Sequence, residues 1–143
     1  MIILVAVDLS PASKKVVAAA ADVADVTGAS IYVLHAAEPE PDFVGYDAGP
    51  QTTRNAVADR FREQPRELQG IAEDIRDSGL DCEALLVQGP YVEKIISESG
   101  KLSADIIVIG AHSKGLLSRV LLGSVSEGVL KESRIPVLVV PAA

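Results

Sequence analysis

The chain has 143 residues and a mass of 15.0 kDa, which suits one domain over residues 1–143 and leaves little room for a second core. Hydrophobic residues make up 48% and charged residues 23%, so extended disorder, collagen-like and disulfide-scaffold classes are excluded, and the single Cys82 has no internal partner for a disulfide. Thirteen Lys and Arg against twenty Asp and Glu give a net charge of −7, and residues 38–83 alone hold twelve acids and five bases, so the rest of the chain is neutral.

A net acidic chain lacks the Lys/Arg footprint of non-specific nucleic-acid binding. The opening apolar run, Ile2 to Val7, has no basic flank and stops at Asp8. It is too short for a signal peptide's apolar region or a membrane span, so a cytoplasmic protein without a membrane partner is expected.

The same run is β-branched and continuously apolar, the mark of a strand buried on both faces of a parallel sheet. Ser10-Pro11 predicts a helix start, with Ser10 as N-cap and Pro11 in the first turn. Val16, Ala19, Ala20, Val23 and Val26 give helical spacing up to a stop at Gly28. Ile31 to Leu34 predicts a second strand closing at His35. Residues 38–54, with three prolines and two glycines, read as a long loop of the kind that is often functional. Asn55 to Ser78 reads as a helix with a kink or break near 62–65 caused by Pro65, and a stop at Gly79. Cys82 to Val87 predicts a third strand, Tyr91 to Gly100 a helix, Asp105 to Ile109 a fourth strand, Ser124 to Ser133 a helix, and Pro136 to Val140 a fifth strand that Pro141 stops. Strands alternating with helices through right-handed crossovers make an open, doubly wound parallel α/β sheet, which binds ligands beyond the carboxyl ends of its strands.

The chemistry points to residues 110–126, which leave the fourth strand and enter a helix. Gly110 permits close approach of a ligand or another backbone. Gly123 and Ser124 stand at a helix start, with unpaired N–H groups and the positive end of the helix dipole. His112, Lys114 and Arg119 are the only potential cations from 110 to 126, and no acid lies there, so the loop suits an anionic ligand such as a phosphate chain. Ser124-Val-Ser-Glu127 also reads as a capping box, which uses the same end of the helix. Gly110 to Gly115 has the first Walker A spacing but continues Leu116-Leu117, and no Gly-x-Gly-x-x-Gly follows the first strand, which argues against a P-loop and against NAD. No nucleophile–base pair, Walker B acid or metal-ligand cluster is apparent, so efficient catalysis is not expected.

Ala6-Val7-Asp8-Leu-Ser10, Asp105-Ile-Ile-Val-Ile-Gly110, the loop from Gly110 to Ser126 and Pro136-Val-Leu-Val-Val140 together resemble the universal stress protein family across the whole chain. The resemblance implies a five-stranded sheet of order 3-2-1-4-5, with Asp8 brought beside Gly110. Its ATP-binding branch carries Gly, two residues, Gly, nine residues, then Gly-Ser/Thr; Gly110, Gly123 and Ser124 fit, and Ser113 stands at the second glycine position. It further implies that Ala6 and Val7 line a base pocket, Asp8 lies near the adenosine, Ala36 offers backbone to adenine, Gly110, His112 and Ser113 approach ribose and phosphates, and Ile109 belongs to the same site. Gly123, Ser124, Val125 and Ser126 would hold phosphates. The implied ligand is ATP, with AMP and cyclic AMP as related candidates and Mg²⁺ as an optional companion. The implied assembly is a homodimer through Val137 to Val140, since an apolar edge strand left open is a hazard. The expected function is adenine-nucleotide binding in stress response or regulation. The rival readings are a slow ATPase or nucleotidyl-transferring enzyme and a nucleotide-free interaction protein.

Overall fold

The computed structural model describes residues 1–37, 51–111 and 123–141, with the backbone alone for 51–62. Among the described residues nine elements follow in chain order: β1 (Ile2–Ala6), α1 (Ser13–Thr27), β2 (Ser30–Ala37), α2 (Gln51–Asp77), β3 (Cys82–Gln88), α3 (Tyr91–Lys101), β4 (Ile106–Ala111), α4 (Ser124–Glu132) and β5 (Val137–Pro141). The strands form one parallel sheet, as the alternation of strands and helices predicts, in the order β3-β2-β1-β4-β5 that the family resemblance implies.

The central strands are apolar on both faces because helices cover both. On one face Ile3, Val5, Ile31, Val33 and Val108 pack with Val16, Ala20 and Ala24 of α1 and Leu68, Ala72 and Ile75 of α2. On the other, Leu4, Leu34, Ala36, Ile107 and Ile109 pack with Ile95 of α3 and Val129 of α4. Alternate strand residues thus feed opposite cores, which is why β1 and β4 read as unbroken apolar runs. Gly28, at φ 72°, ends α1 in the left-handed conformation and returns its N–H to the Ala24 carbonyl.

Several local expectations are corrected. Ser10 does not cap α1. The chain makes a turn first, with the Ser13 N–H on the Ser10 carbonyl at 3.0 Å, and the helix begins at Ser13 with no side-chain cap. Pro11 and Ala12 are used up in that turn. Residues 51–54, expected in the loop, are already helical, and 38–50 lie outside the described residues. α2 runs unbroken through Pro65. The proline removes one N–H donor, but Leu68, Ala72 and Ile75 beyond it hold the helix on the sheet, and tertiary packing outweighs one lost bond. β5 ends at Pro141, which is itself the last paired residue, opposite Ala111, a position that an edge strand tolerates. α4 has Gly123, not Ser124, as N-cap, and the capping box is not formed. Ser124 is already inside the helix, and Glu127 instead approaches Lys131 at 3.8 Å on the surface.

Packing between α3 and α4 is close enough to exclude a methyl group. A Cβ at Gly128 would lie 2.8 Å from Cγ2 of Val92, whose β-branched side chain cannot swing away, whereas a Cβ at Gly70 in α2 would meet nothing within 4 Å. Gly128→Ala is therefore expected to destabilise by about 1–3 kcal/mol, and Gly70→Ala to stabilise by roughly 0.5–1 kcal/mol through helix propensity. Thermal denaturation of the two variants, which should shift in opposite directions, checks both.

Candidate functional site

The sheet is pinned at one end of its central pair and open at the other. At the amino ends the Asp105 carboxylate accepts the Ile2 N–H at 2.7 Å, and the Asp105 N–H donates to the Ile2 carbonyl at 2.8 Å. The β1–β4 ladder then runs from Ile3↔Ile106 to Val5↔Val108 and stops. Both strands continue with other partners. β1 pairs with β2 as far as Ala6↔Leu34, and β4 pairs with β5 as far as Ala111↔Pro141. Pairing between β1 and β4 is therefore absent at their carboxyl ends, at the position where the strand order reverses and where sheets of this kind form a ligand crevice.

Ala6, half-buried, closes β1, and buried Val7 follows it. Exposed Asp8 opens the turn that leads to α1. Its Oδ1 accepts the Ser10 N–H at 2.9 Å and the Ser13 hydroxyl at 3.2 Å, so one carboxylate oxygen organises the turn. Buried Ser13 and the left-handed Leu9, at φ 62°, are parts of this turn that sequence reading missed. Ala36 is fully buried on β2. Past Leu34, β2 keeps β3 beside it (Ala36↔Val87, Ala37↔Gln88) but has no β1 residue opposite.

Across the opening, buried Ile109 and half-buried Gly110 occupy the end of β4. Gly110 has a packing reason for its identity: a Cβ there would lie 3.0 Å from Cγ2 of Val16 on α1. The close approach is that of a side chain of the same protein. α4 starts next to this strand end. Its Ser126 is 2% exposed and donates its hydroxyl hydrogen to the Gly110 carbonyl at 2.7 Å. That hydroxyl hydrogen is thus spent internally, and what Ser126 has for a ligand is its backbone N–H. The Glu127 N–H returns to the Gly123 carbonyl, the first bond of the helix, so the N–H groups of Ser124, Val125 and Ser126 precede any intrahelical partner. Ser124 is exposed and Gly123 and Val125 are half-buried. His112, Ser113, Lys114 and Arg119 lie outside the described residues.

The structure thus brings Gly110 and Ser126 into contact and sets the Val7–Asp8 turn across from them on the neighbouring strand. Such an arrangement can present helix-terminal N–H groups and a partial positive charge to an anion beside an apolar floor of strand ends. Among the described residues no group of three or more His, Cys, Asp or Glu stands together to hold a metal ion. Buried Cys82 is at the far, amino end of β3, and burial pushes its thiol up to about 11, so it carries little thiolate at neutral pH. No described helix is long and apolar enough to cross a membrane.

The Ser126–Gly110 bond is expected to tie the helix start to the strand end. Ser126→Ala leaves the Gly110 carbonyl without its partner in a half-buried place, and a loss of about 1–3 kcal/mol in chemical denaturation is expected.

Comparison with known proteins fits this architecture. Over 140 residues the chain is 33% identical to the universal stress protein encoded in the QAH/OAS sulfhydrylase 3′ region of Thermus aquaticus, covering 96% of each. A universal stress protein from Archaeoglobus fulgidus, solved in complex with dAMP, superposes with a TM-score of 0.70 at 25% identity, covering 97% of this chain and 96% of its own. A second universal stress protein, solved in complex with cAMP, superposes with a TM-score of 0.74 at 22% identity over 100% of this chain and 98% of its own. The sequence profile of the universal stress protein family matches residues 1–141, and the chain belongs to that family.

Proposed function

We propose that this protein is a cytoplasmic, homodimeric regulator that binds an adenine nucleotide, with ATP favoured, in the opening between β1 and β4. The observation that carries the reading is the early end of the β1–β4 ladder at Val5↔Val108, with the start of α4 fastened beside it by the Ser126–Gly110 bond. Relatives solved with dAMP and with cAMP support the choice of an adenine nucleotide.

In this reading the phosphates lie at the start of α4 and the adenosine at the ends of β1 and β2. The N–H groups of Ser124, Val125 and Ser126 donate to phosphate oxygens, and the helix dipole adds attraction. Gly123, at φ −62° and ψ 162°, leads into the helix without a side chain in the way. His112 and Ser113, outside the described residues, are assigned to the ribose and phosphates by the family resemblance alone. Asp8 is acceptor-only when ionised and suits ribose hydroxyls or the base amine. Ala6, Val7 and Ile109 supply apolar contact to the base, and the backbone of Ala36, with no β1 residue opposite, bonds its edge. Any Mg²⁺ would be carried by the phosphates. The protein acts by binding rather than by turnover, and hydrolysis above a Ser124→Ala control would argue instead for an ATPase.

Calorimetric titration with ATP, AMP and cyclic AMP, with identification of any nucleotide released on denaturation, tests the reading. Saturable binding of an adenine nucleotide tighter than about 1 mM is expected, which corresponds to roughly −4 kcal/mol. No binding by any of the three at millimolar concentration would contradict it.

Dimerisation is read from β5. Its ladder partner is β4, it ends the strand order, and Val137 to Val140 are half-buried although apolar. An antiparallel partner strand would cover that edge. Sedimentation equilibrium should give twice 15.0 kDa, that is 30.0 kDa, and a mass of 15.0 kDa would contradict the dimer.

A further inference from the structure

His35 is 2% exposed in a stretch of β2 that is otherwise apolar from Val33 to Ala37. Its Nδ1 lies 2.9 Å from the carbonyl oxygen of Val7. A carbonyl oxygen only accepts, so the proton of this bond sits on Nδ1. Val7 directly precedes Asp8. Its own N–H donates to the Leu34 carbonyl at 2.9 Å, so consecutive residues of β2 grip Val7 through backbone and side chain.

The turn that follows is not a relaxed one. A left-handed conformation costs a residue such as Leu9 roughly 1–2 kcal/mol and persists only where its surroundings over-determine it. Asp8 Oδ1, holding the Ser10 N–H and the Ser13 hydroxyl, constrains the turn from its downstream side. Leu9 packs on the core beneath. The upstream constraint is His35. The Tyr91 ring meets its imidazole edge-on, with centroids 6.0 Å apart and planes at 64°, and holds the imidazole from the start of α3.

The other ring nitrogen, Nε2, is buried with no hydrogen-bond partner among the described residues. A stranded buried polar atom carries a cost that an apolar residue at this position would not incur. The imidazole is therefore explained by the work of Nδ1, not by packing.

We infer that His35 is a positioning residue: its Nδ1–H bond to the Val7 carbonyl fixes the backbone entering the Asp8–Ser10 turn, and thereby where the Asp8 carboxylate meets a ligand. The ligand half of this statement rests on the proposed nucleotide binding; the turn half does not.

Three full-chain variants separate the two ring nitrogens. The amide nitrogen of Asn is as many bonds from Cβ as Nδ1, and that of Gln as many as Nε2. His35→Asn is expected to keep slow hydrogen exchange at the Ser10 amide and ATP affinity within about threefold, while His35→Gln and His35→Leu speed that exchange and weaken ATP about tenfold, a change of 1.4 kcal/mol. Tripolyphosphate, which has no adenosine to meet Asp8, should bind all variants alike. Rescue by Gln rather than Asn, or exchange unchanged in all three, would overturn the inference. Should wild type bind no ATP while Ser10 exchange follows the expected pattern, the nucleotide reading fails, with it the ligand half, and the turn half stands. In the wild-type protein, imidazole ¹⁵N shifts should show a proton on Nδ1, and a proton on Nε2 alone would overturn the inference without any variant.

Discussion

β1 and β4 are paired at their amino ends and unpaired at their carboxyl ends, and the candidate site follows from that asymmetry. Asp105 closes the amino end by bonding Ile2 twice, once through its side chain and once through its backbone. Three residues later the ladder ends, while β1 stays paired with β2 as far as Ala6 and β4 with β5 as far as Ala111. Adjacent strands in a twisted sheet diverge where their connections leave towards opposite faces, and here α1 leaves to one face and α4 packs on the other. An opening at this point is a consequence of strand order and needs no specialised residue to create it.

What specialises the opening is how its two rims are fastened. On the β4 rim the Ser126 hydroxyl holds Gly110, and Val16 of α1 fills the space that a Cβ at Gly110 would take. On the β1 rim Asp8 shapes its own turn through Ser10 and Ser13. Both rims are set by short polar bonds to backbone at strand ends, while the apolar layers beneath set the strands themselves. Side-chain hydroxyls and carboxylates thus fix local geometry, and the first backbone N–H groups of α4 have no intrahelical partner.

Much of this was legible in the residues. Continuous β-branched runs identified the buried strands, Gly28 and Gly79 marked the helix stops, and the motifs around Asp8, Gly110 and Gly123 pointed to the family and hence to the strand order. The misreadings share one cause, which is that local rules compete. Ser10 and Ser124 both look like caps, yet a turn through Pro11 moves the first helix to Ser13, and Gly123 takes the cap position of α4. Pro65 is a helix breaker by itself but is outweighed by the packed residues that follow it. The roles of Ser126, His35 and Val16 depend on contacts across the fold, 16, 28 and 94 positions away in sequence, and no local pattern encodes them. A weak signal did exist: His35 interrupts an apolar strand and Ser126 stands three residues before buried Val129 on the inward side of α4.

The central claim, that the strand divergence is the nucleotide site, is tested most directly by mapping backbone amide shifts of ¹⁵N-labelled protein as ATP is added. The account predicts saturable changes concentrated at Asp8, Ala36, Gly110 and Gly123 to Ser126, with the amino ends of the strands, around Ile2 and Asp105, unmoved. Changes centred away from the β1–β4 opening, with those residues silent, would contradict it.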